Sequence, residues 1–188
     1  MKNLVLAFFL LININAFAQK PCEIATNVTD SLGTYKALKQ AVIYERHTES
    51  NIDIFFALCS NNGVLGIETQ ILQQSNDFIK ANCFDSSSRI FLQLNNGKIV
   101  TLIYAGEDTC GAYVHTEEKG NNRVTTGLFV FSKENYEDLK VSPVTFMRVK
   151  FATETIDYPF KTELVSELDK NTYQPENYFI DYLKCIEN

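Results

Sequence analysis

Two apolar runs flank Asn96 and Gly97 within the segment 88–105. An Asn-Gly pair between apolar runs is a strong β-hairpin signal, because both central residues of a type I′ turn need a positive φ. With these two residues as the loop, Leu94 would face Ile99, and both faces of the hairpin would be apolar. A hairpin of this kind needs cover on both sides, so we expect it to lie centrally in a sheet or sandwich.

The rest of the chain predicts further hairpins, followed by helices. Short apolar or alternating runs separated by polar turn residues predict strands at 41–44, 53–60, 64–72, 110–116, 123–131 and 144–152. Helices are predicted at 133–140, 162–169 and 175–187, the last from Pro175 at its start and an apolar stripe at helical spacing. Residues 22–33 show no clear period and are predicted to be irregular. This order predicts an α+β fold that is mainly antiparallel β: a sheet or sandwich of successive hairpins, with short C-terminal helices packed on it.

The first eighteen residues have the pattern of a secretory signal peptide. Lys2 precedes an apolar run at 4–11, and Ala16-Phe17-Ala18 forms a small-residue cleavage site. We therefore expect residues 1–18 to be removed and residues 19–188 to form a single exported domain, periplasmic or extracellular. If the source is eukaryotic, Asn27-Val28-Thr29 is a glycosylation sequon.

The charge and composition restrict the classes of partner. The chain carries a formal net charge of −6 and no cluster of Lys and Arg, so nucleic acid and anionic membrane are poor partners. No stretch of the mature chain reaches the roughly 20 apolar residues of a membrane helix. We expect a soluble protein whose partner is an unknown protein or small ligand, with no cofactor.

All five cysteines lie in the exported part, where disulfides can persist. Extending the predicted hairpin outward from its loop brings Cys83 opposite Cys110, which favours a disulfide between them. A second disulfide between Cys22 and Cys185 is proposed because chain termini tend to lie close together. The fifth, Cys59, sits in an apolar run and is interpreted as a buried thiol.

The sequence lacks the common catalytic motifs, including G-x-S-x-G, H-E-x-x-H, the P-loop, G-x-G-x-x-G and C-x-x-C. Its two histidines share a phrase, His47-Thr48-Glu49 and His115-Thr116-Glu117. Residues i and i+2 of a strand point the same way, so each phrase could present an imidazole beside a carboxylate. If the two strands were neighbours, these four side chains could bind zinc or another metal. The alternative is two strand ends that run into polar turns.

Three classes of function remain open. The first hypothesis is a non-enzymatic exported module that binds a protein or small ligand through a sheet face or loop edge. The alternative is a metal-dependent or hydrolase-like enzyme that uses His47, His115 and neighbouring carboxylates. A third is a structural component of the cell envelope. No residue is assigned a catalytic, cofactor-binding or metal-binding role from sequence.

Overall fold

The computed structural model describes residues 20–31, 33–117 and 120–187. The predicted signal peptide, residues 1–18, lies outside these ranges. Thirteen strands are described, in the order β1 (Ile24–Asp30), β2 (Gly33–Leu38), β3 (Ala41–His47), β4 (Ser50–Asn61), β5 (Val64–Ser75), β6 (Arg89–Leu94), β7 (Ile99–Tyr104), β8 (Ala112–Thr116), β9 (Gly120–Phe131), β10 (Val144–Lys150), β11 (Thr155–Pro159), β12 (Leu164–Val165) and β13 (Thr172–Tyr173). One α-helix, α1 (Tyr178–Tyr182), lies between 3₁₀ turns at Pro175–Asn177 and Leu183–Cys185, and another 3₁₀ turn covers Tyr136–Lys140.

Eleven of the described strands form one antiparallel sheet. The path runs β1-β2-β4-β5-β9-β7-β6-β10-β11, while β3 also pairs with β4 and β8 also pairs with β9. The sheet curls so that β3 lies against β11 at the end of the path, and the ring centroid of Tyr44 on β3 lies 5.1 Å from that of Tyr158 on β11. The predicted fold class, mainly antiparallel β with a short C-terminal helix packed on the sheet, is confirmed.

The predicted central hairpin is present as β6 and β7, but its register is shifted by one residue. Leu94 donates its N–H to the carbonyl of Lys98, and Gln93 rather than Leu94 pairs with Ile99. The loop therefore has three residues and ends at Gly97, whose φ is +83°. Contacts with residues 138–143 hold this loop, including a hydrogen bond from the Asn95 N–H to the Pro143 carbonyl.

The shift in register explains why the prediction that both faces of the hairpin are covered is wrong. A one-residue slip moves every side chain of one strand to the other face. In the observed register the buried residues all lie on one face of the hairpin, namely Ile90, Leu92, Leu94, Val100, Leu102 and Tyr104. The opposite face carries Gln93, Ile99 and Ile103, which are exposed, so the hairpin has one wet side.

The buried face of the sheet encloses an aromatic core to which the C-terminal helix contributes. Phe84 stacks on Phe151 and meets Phe129 edge-on, with ring centroids 5.2 and 5.1 Å apart. Phe179 of α1 packs against Phe56 on β4 and Phe131 on β9. Three residues of the stripe predicted for the terminal helix, Phe179, Leu183 and Ile186, are buried and Tyr182 is half-buried, although the helix is broken into short turns.

Two other local predictions are wrong. Residues 22–33, predicted to be irregular, contain β1. Residues 162–169, predicted to be helical, contain β12 and a turn that leads to β13. Strand β1 pairs with β2, and β12 pairs with β13. This pairing defines both strands, because neither segment has a periodic pattern of its own.

Two disulfides cross-link the chain. They join Cys22 to Cys185 and Cys83 to Cys110, the two pairs proposed from the sequence. Cys59 is free and buried, and burial together with the charge of Glu68 raises the pKa of its thiol to about 12. It is therefore an unreactive part of the core.

Candidate functional site

The structure does not bring the two histidine phrases together. His47 on β3 pairs with Asn51 on β4. The row of paired residues that includes these two continues across β5 and β9 to Val114 on β8, which precedes His115. Four strand spacings amount to about 19 Å along the sheet. Successive residues of a strand point to opposite faces, so His47 and His115 also lie on different sides. No group of three or more His, Cys, Asp or Glu side chains within the described ranges could hold a metal ion.

His47 instead joins two carboxylates from different parts of the chain. Its Nε2 lies 2.6 Å from Oδ1 of Asp53 on β4, and its Nδ1 lies 3.1 Å from Oε2 of Glu167. Beside it, the carboxylate of Glu45 accepts hydrogen bonds from the Ser166 hydroxyl and the Glu167 N–H. We call Glu45, His47, Asp53, Ser166 and Glu167 the clasp, because they hold the turn between β12 and β13 against β3.

The electrostatics of the clasp favour a charged imidazole. Burial opposes protonation of His47, but its hydrogen bonds to Glu167 and Asp53, and their charges, outweigh that effect and raise its pKa. Burial raises the pKa of Asp53, and the imidazole only partly offsets this rise. The contact with His47 lowers the pKa of Glu167. Both ring nitrogens of His47 are occupied, so it has no lone pair free to act as a general base.

His115 belongs to a separate network centred on Asn121. The Asn121 side-chain oxygen lies 2.8 Å from Nδ1 of His115 and 2.6 Å from the Tyr113 hydroxyl. Its amide nitrogen donates to the carbonyls of Asn76 and Asp77, at 3.1 and 2.8 Å. Asn121 thus ties the segment after β5 to β8 and β9, which is a structural role.

A cleft of about 540 Å³ is lined in part by β13 and the turn that precedes it. Its walls come from the N-terminal segment, the turn between β2 and β3, strand β13 and the start of the terminal helix. The side chains that line it include Lys39, Gln40, Asn171, Tyr173, Gln174 and Tyr182.

Cross-links within the protein hold these walls in place. The Cys22–Cys185 disulfide joins the N-terminal segment to the end of the helical region. Lys20 pairs with Asp181 at 2.9 Å and donates to the Gln174 side-chain oxygen at 2.9 Å. The Lys39 N–H donates to the Glu23 carbonyl at 2.8 Å, and the side chains of the same two residues form an ion pair.

No sequence pattern signals either the clasp or the cleft. Asp53 reads as the polar start of an apolar run, and Glu45 and Glu167 are 122 residues apart in the chain. The cleft is built from four segments that have no common motif. Of the two His-Thr-Glu phrases that the sequence suggested as metal ligands, only His47 lies in the clasp. Its carboxylate partners come from other parts of the chain and do not include Glu49.

Comparison of the chain with protein families, with curated proteins and with solved structures finds no match. Within the described part of the chain, no helix is long and apolar enough to cross a membrane. The two disulfides indicate a non-cytoplasmic environment. Among the described residues, the cleft and the clasp are therefore the features that bear on function.

Proposed function

We propose that this protein is an exported binding protein, periplasmic or extracellular, that holds a small neutral ligand rich in hydroxyl groups in the cleft. The observation that carries this proposal is the cleft itself. Its volume of about 540 Å³ lies within the roughly 300–1,000 Å³ of small-molecule sites. Such sites are largely formed before the ligand arrives, and the cross-linked walls meet that condition.

The charges around the cleft favour a neutral ligand. Two cations, Lys20 and Lys39, and two anions, Glu23 and Asp169, line it. Lys20 and Lys39 are paired within the protein, and Asp169 accepts a hydrogen bond from the Tyr173 hydroxyl at 2.6 Å. A charged ligand would have to break one of these contacts or remain without a counter-charge.

The uncharged side chains favour hydroxyl groups. Gln40, Asn171 and Gln174 carry amides that both donate and accept hydrogen bonds, as a sugar hydroxyl does. Tyr173 and Tyr182 add aromatic rings with apolar faces and polar tips. A saccharide, with hydroxyl groups and apolar C–H faces, matches such amides and rings.

The test is binding of a panel of neutral mono- and oligosaccharides, with small organic acids and amines of similar size as comparators, measured by ligand-observed NMR and calorimetry. We expect saccharides to bind, and we expect Gln40→Trp, which fills the cleft, to weaken binding at least about tenfold. The matched control is Gln93→Trp on the exposed face of β6, which should bind as the wild type does. Binding of only charged compounds, or equal binding by the two variants, would contradict the proposal.

A further inference from the structure

Strand β1 is an exposed edge of the sheet. Six of its seven residues are exposed and Thr26 is half-buried, so neither face is covered. It pairs with β2, and no other described strand pairs with it. A strand of this kind presents a row of unpaired backbone groups that can pair with another strand.

The contacts of β2 show which backbone groups of β1 point outward. The N–H of Thr34 donates to the Asn62 side chain and its carbonyl accepts from the Asn62 N–H, so both groups point toward β4. Thr34 pairs with Thr29, which makes this a non-hydrogen-bonded pair of the β1–β2 ladder. The N–H and C=O of Thr29 therefore point to the open edge, and by alternation so do those of Asn27.

The edge lacks the usual features that prevent pairing. Natural edge strands carry lysine, proline or bulges that block another strand. Strand β1 has no Lys, Arg or Pro, and its only charged residue is Asp30 at its end. Its bulge lies at the start, between Ile24 and Thr26, and leaves five residues in regular register from Thr26 to Asp30.

We propose that β1 pairs antiparallel with β1 of a second copy of this chain, about a two-fold axis at Val28, so that one sheet runs through both copies. In this register the outward groups of Asn27 meet those of Thr29 in the other copy, which forms four backbone hydrogen bonds. Val28, 47% exposed in the single chain, faces its own counterpart.

The register is also compatible with charge. The carboxylate of Asp30 faces Thr26 of the other copy, so no like charges are opposed across the new ladder. A pairing of five residues buries less area than a standard interface of about 1,200–2,000 Å², and the net charge of −6 opposes association. The dimer is therefore weak and depends on protein concentration.

Sedimentation of the mature protein at concentrations up to about 1 mM tests the proposal. We expect the wild type to dimerise reversibly. Val28→Lys and Val28→Asp should each weaken the dimer about tenfold, since each places like charges across the axis. An equimolar mixture of the two variants should restore association, because a lysine then faces an aspartate. The matched control, Val64→Lys at a valine on β5 that is 56% exposed, should dimerise like the wild type.

Cross-linking identifies the contact directly. The Cα atoms of a non-hydrogen-bonded pair lie about 4.5 Å apart, within disulfide reach, so Val28→Cys should form a covalent dimer on mild oxidation and Val64→Cys should not. A wild type that stays monomeric throughout the concentration range would overturn the proposal. So would a dimer that Val28→Lys leaves unchanged, or a mixture of the charged variants that does not associate.

Discussion

Asp53 is a buried carboxylate that depends on a single side chain. It is fully buried, its Oδ1 contacts His47, and its Oδ2 has no hydrogen-bond partner in the described part of the protein. Breaking a buried charge pair by removing one partner costs more than the pair itself contributes, because the remaining charge stays uncompensated.

His47→Ala should therefore lower the free energy of unfolding by about 2–4 kcal/mol at pH 6, as measured by urea denaturation. The matched control is His115→Ala, whose partner Asn121 keeps its bonds to Tyr113, Asn76 and Asp77. That variant should lose about 1 kcal/mol or less. Equal losses in the two variants would show that the clasp does not stabilise Asp53.

Tyr178 fills a gap in the sheet. Strand β4 pairs with β3 as far as Phe56 and with β2 from Cys59 onward, which leaves a break between them. The Tyr178 hydroxyl accepts from the Leu58 N–H at 3.1 Å and donates to the Phe56 carbonyl at 3.2 Å. Tyr178 is only 4% exposed, so its hydroxyl makes these bonds inside the core and not with water.

Tyr178→Phe should cost about 1–3 kcal/mol of stability, because it leaves a buried N–H without a partner. Tyr182→Phe, one turn along the same helix and half-buried, is the control and should change stability by less than about 0.5 kcal/mol. Amide exchange at Leu58 should accelerate in Tyr178→Phe alone. Unchanged exchange there would contradict the assigned hydrogen bond.

At the scale of elements, the β12–β13 hairpin has a small contact area, and it depends on the clasp. Its two strands have two residues each, and it is held to β3 by Glu45 and His47. Because the folded state raises the pKa of His47, the protonated imidazole stabilises the closed hairpin. This stabilisation is complete below the unfolded pKa of about 6.5 and is lost as the pH rises through the higher folded value.

Amide exchange of the hairpin, corrected for the intrinsic pH dependence, should therefore accelerate as the pH rises above about 6.5. The amide of Glu167, which donates to the Glu45 carboxylate, reports it most directly. His47→Gln should remove the pH dependence and leave the hairpin at its weaker level throughout. A wild type whose corrected exchange stays constant through this range would contradict the role of the imidazolium.

The extent to which the sequence predicts an element depends on how that element is stabilised. Strand β10 alternates Phe146 and Arg148 outward with Met147 and Val149 inward, so its pattern predicted it correctly. Strand β1 has no buried face, so its sequence shows no alternation of apolar and polar residues. Backbone pairing alone specifies it. The register of β6 and β7 depends on contacts between the loop and Asp138, Ser142 and Pro143, which no local signal reveals.

The candidate site was harder to predict for the same reason. The clasp joins β3 and β4 to a turn more than a hundred residues later, and the cleft joins residues 20–23 to the terminal helix. The shared His-Thr-Glu phrase left a metal site open only if the two strands were neighbours, and their adjacency could not be known from the sequence. The sheet order places three strands, β4, β5 and β9, between β3 and β8.

At the scale of the whole molecule, the two disulfides have different tasks. Cys83–Cys110 closes a chain separation of 27 residues around the central hairpin, whereas Cys22–Cys185 closes one of 163 and joins the two ends of the domain. In the chain-entropy model the longer loop contributes more, about 5 kcal/mol against about 3.5 kcal/mol. Only the longer one connects the walls of the cleft.

Replacing Cys22 and Cys185 together by Ser should therefore release the N-terminal segment from the terminal helix. The hydrogen bond from the Lys39 N–H to the Glu23 carbonyl is the reporter, since it joins that segment to the end of β2. We expect exchange at Lys39 to accelerate at least about tenfold in this variant, because its acceptor leaves with the released segment.

The matched control replaces Cys83 and Cys110 together by Ser. It should lower global stability by up to about 3.5 kcal/mol and leave the local exchange at Lys39 unchanged under native conditions, because the N-terminal segment stays anchored. Equal protection at Lys39 in both double variants would mean that the backbone bond and the Lys20–Asp181 pair hold the cleft closed without the disulfide. The walls would then be fixed by contacts that survive reduction, and the cleft would keep its shape in a reducing compartment.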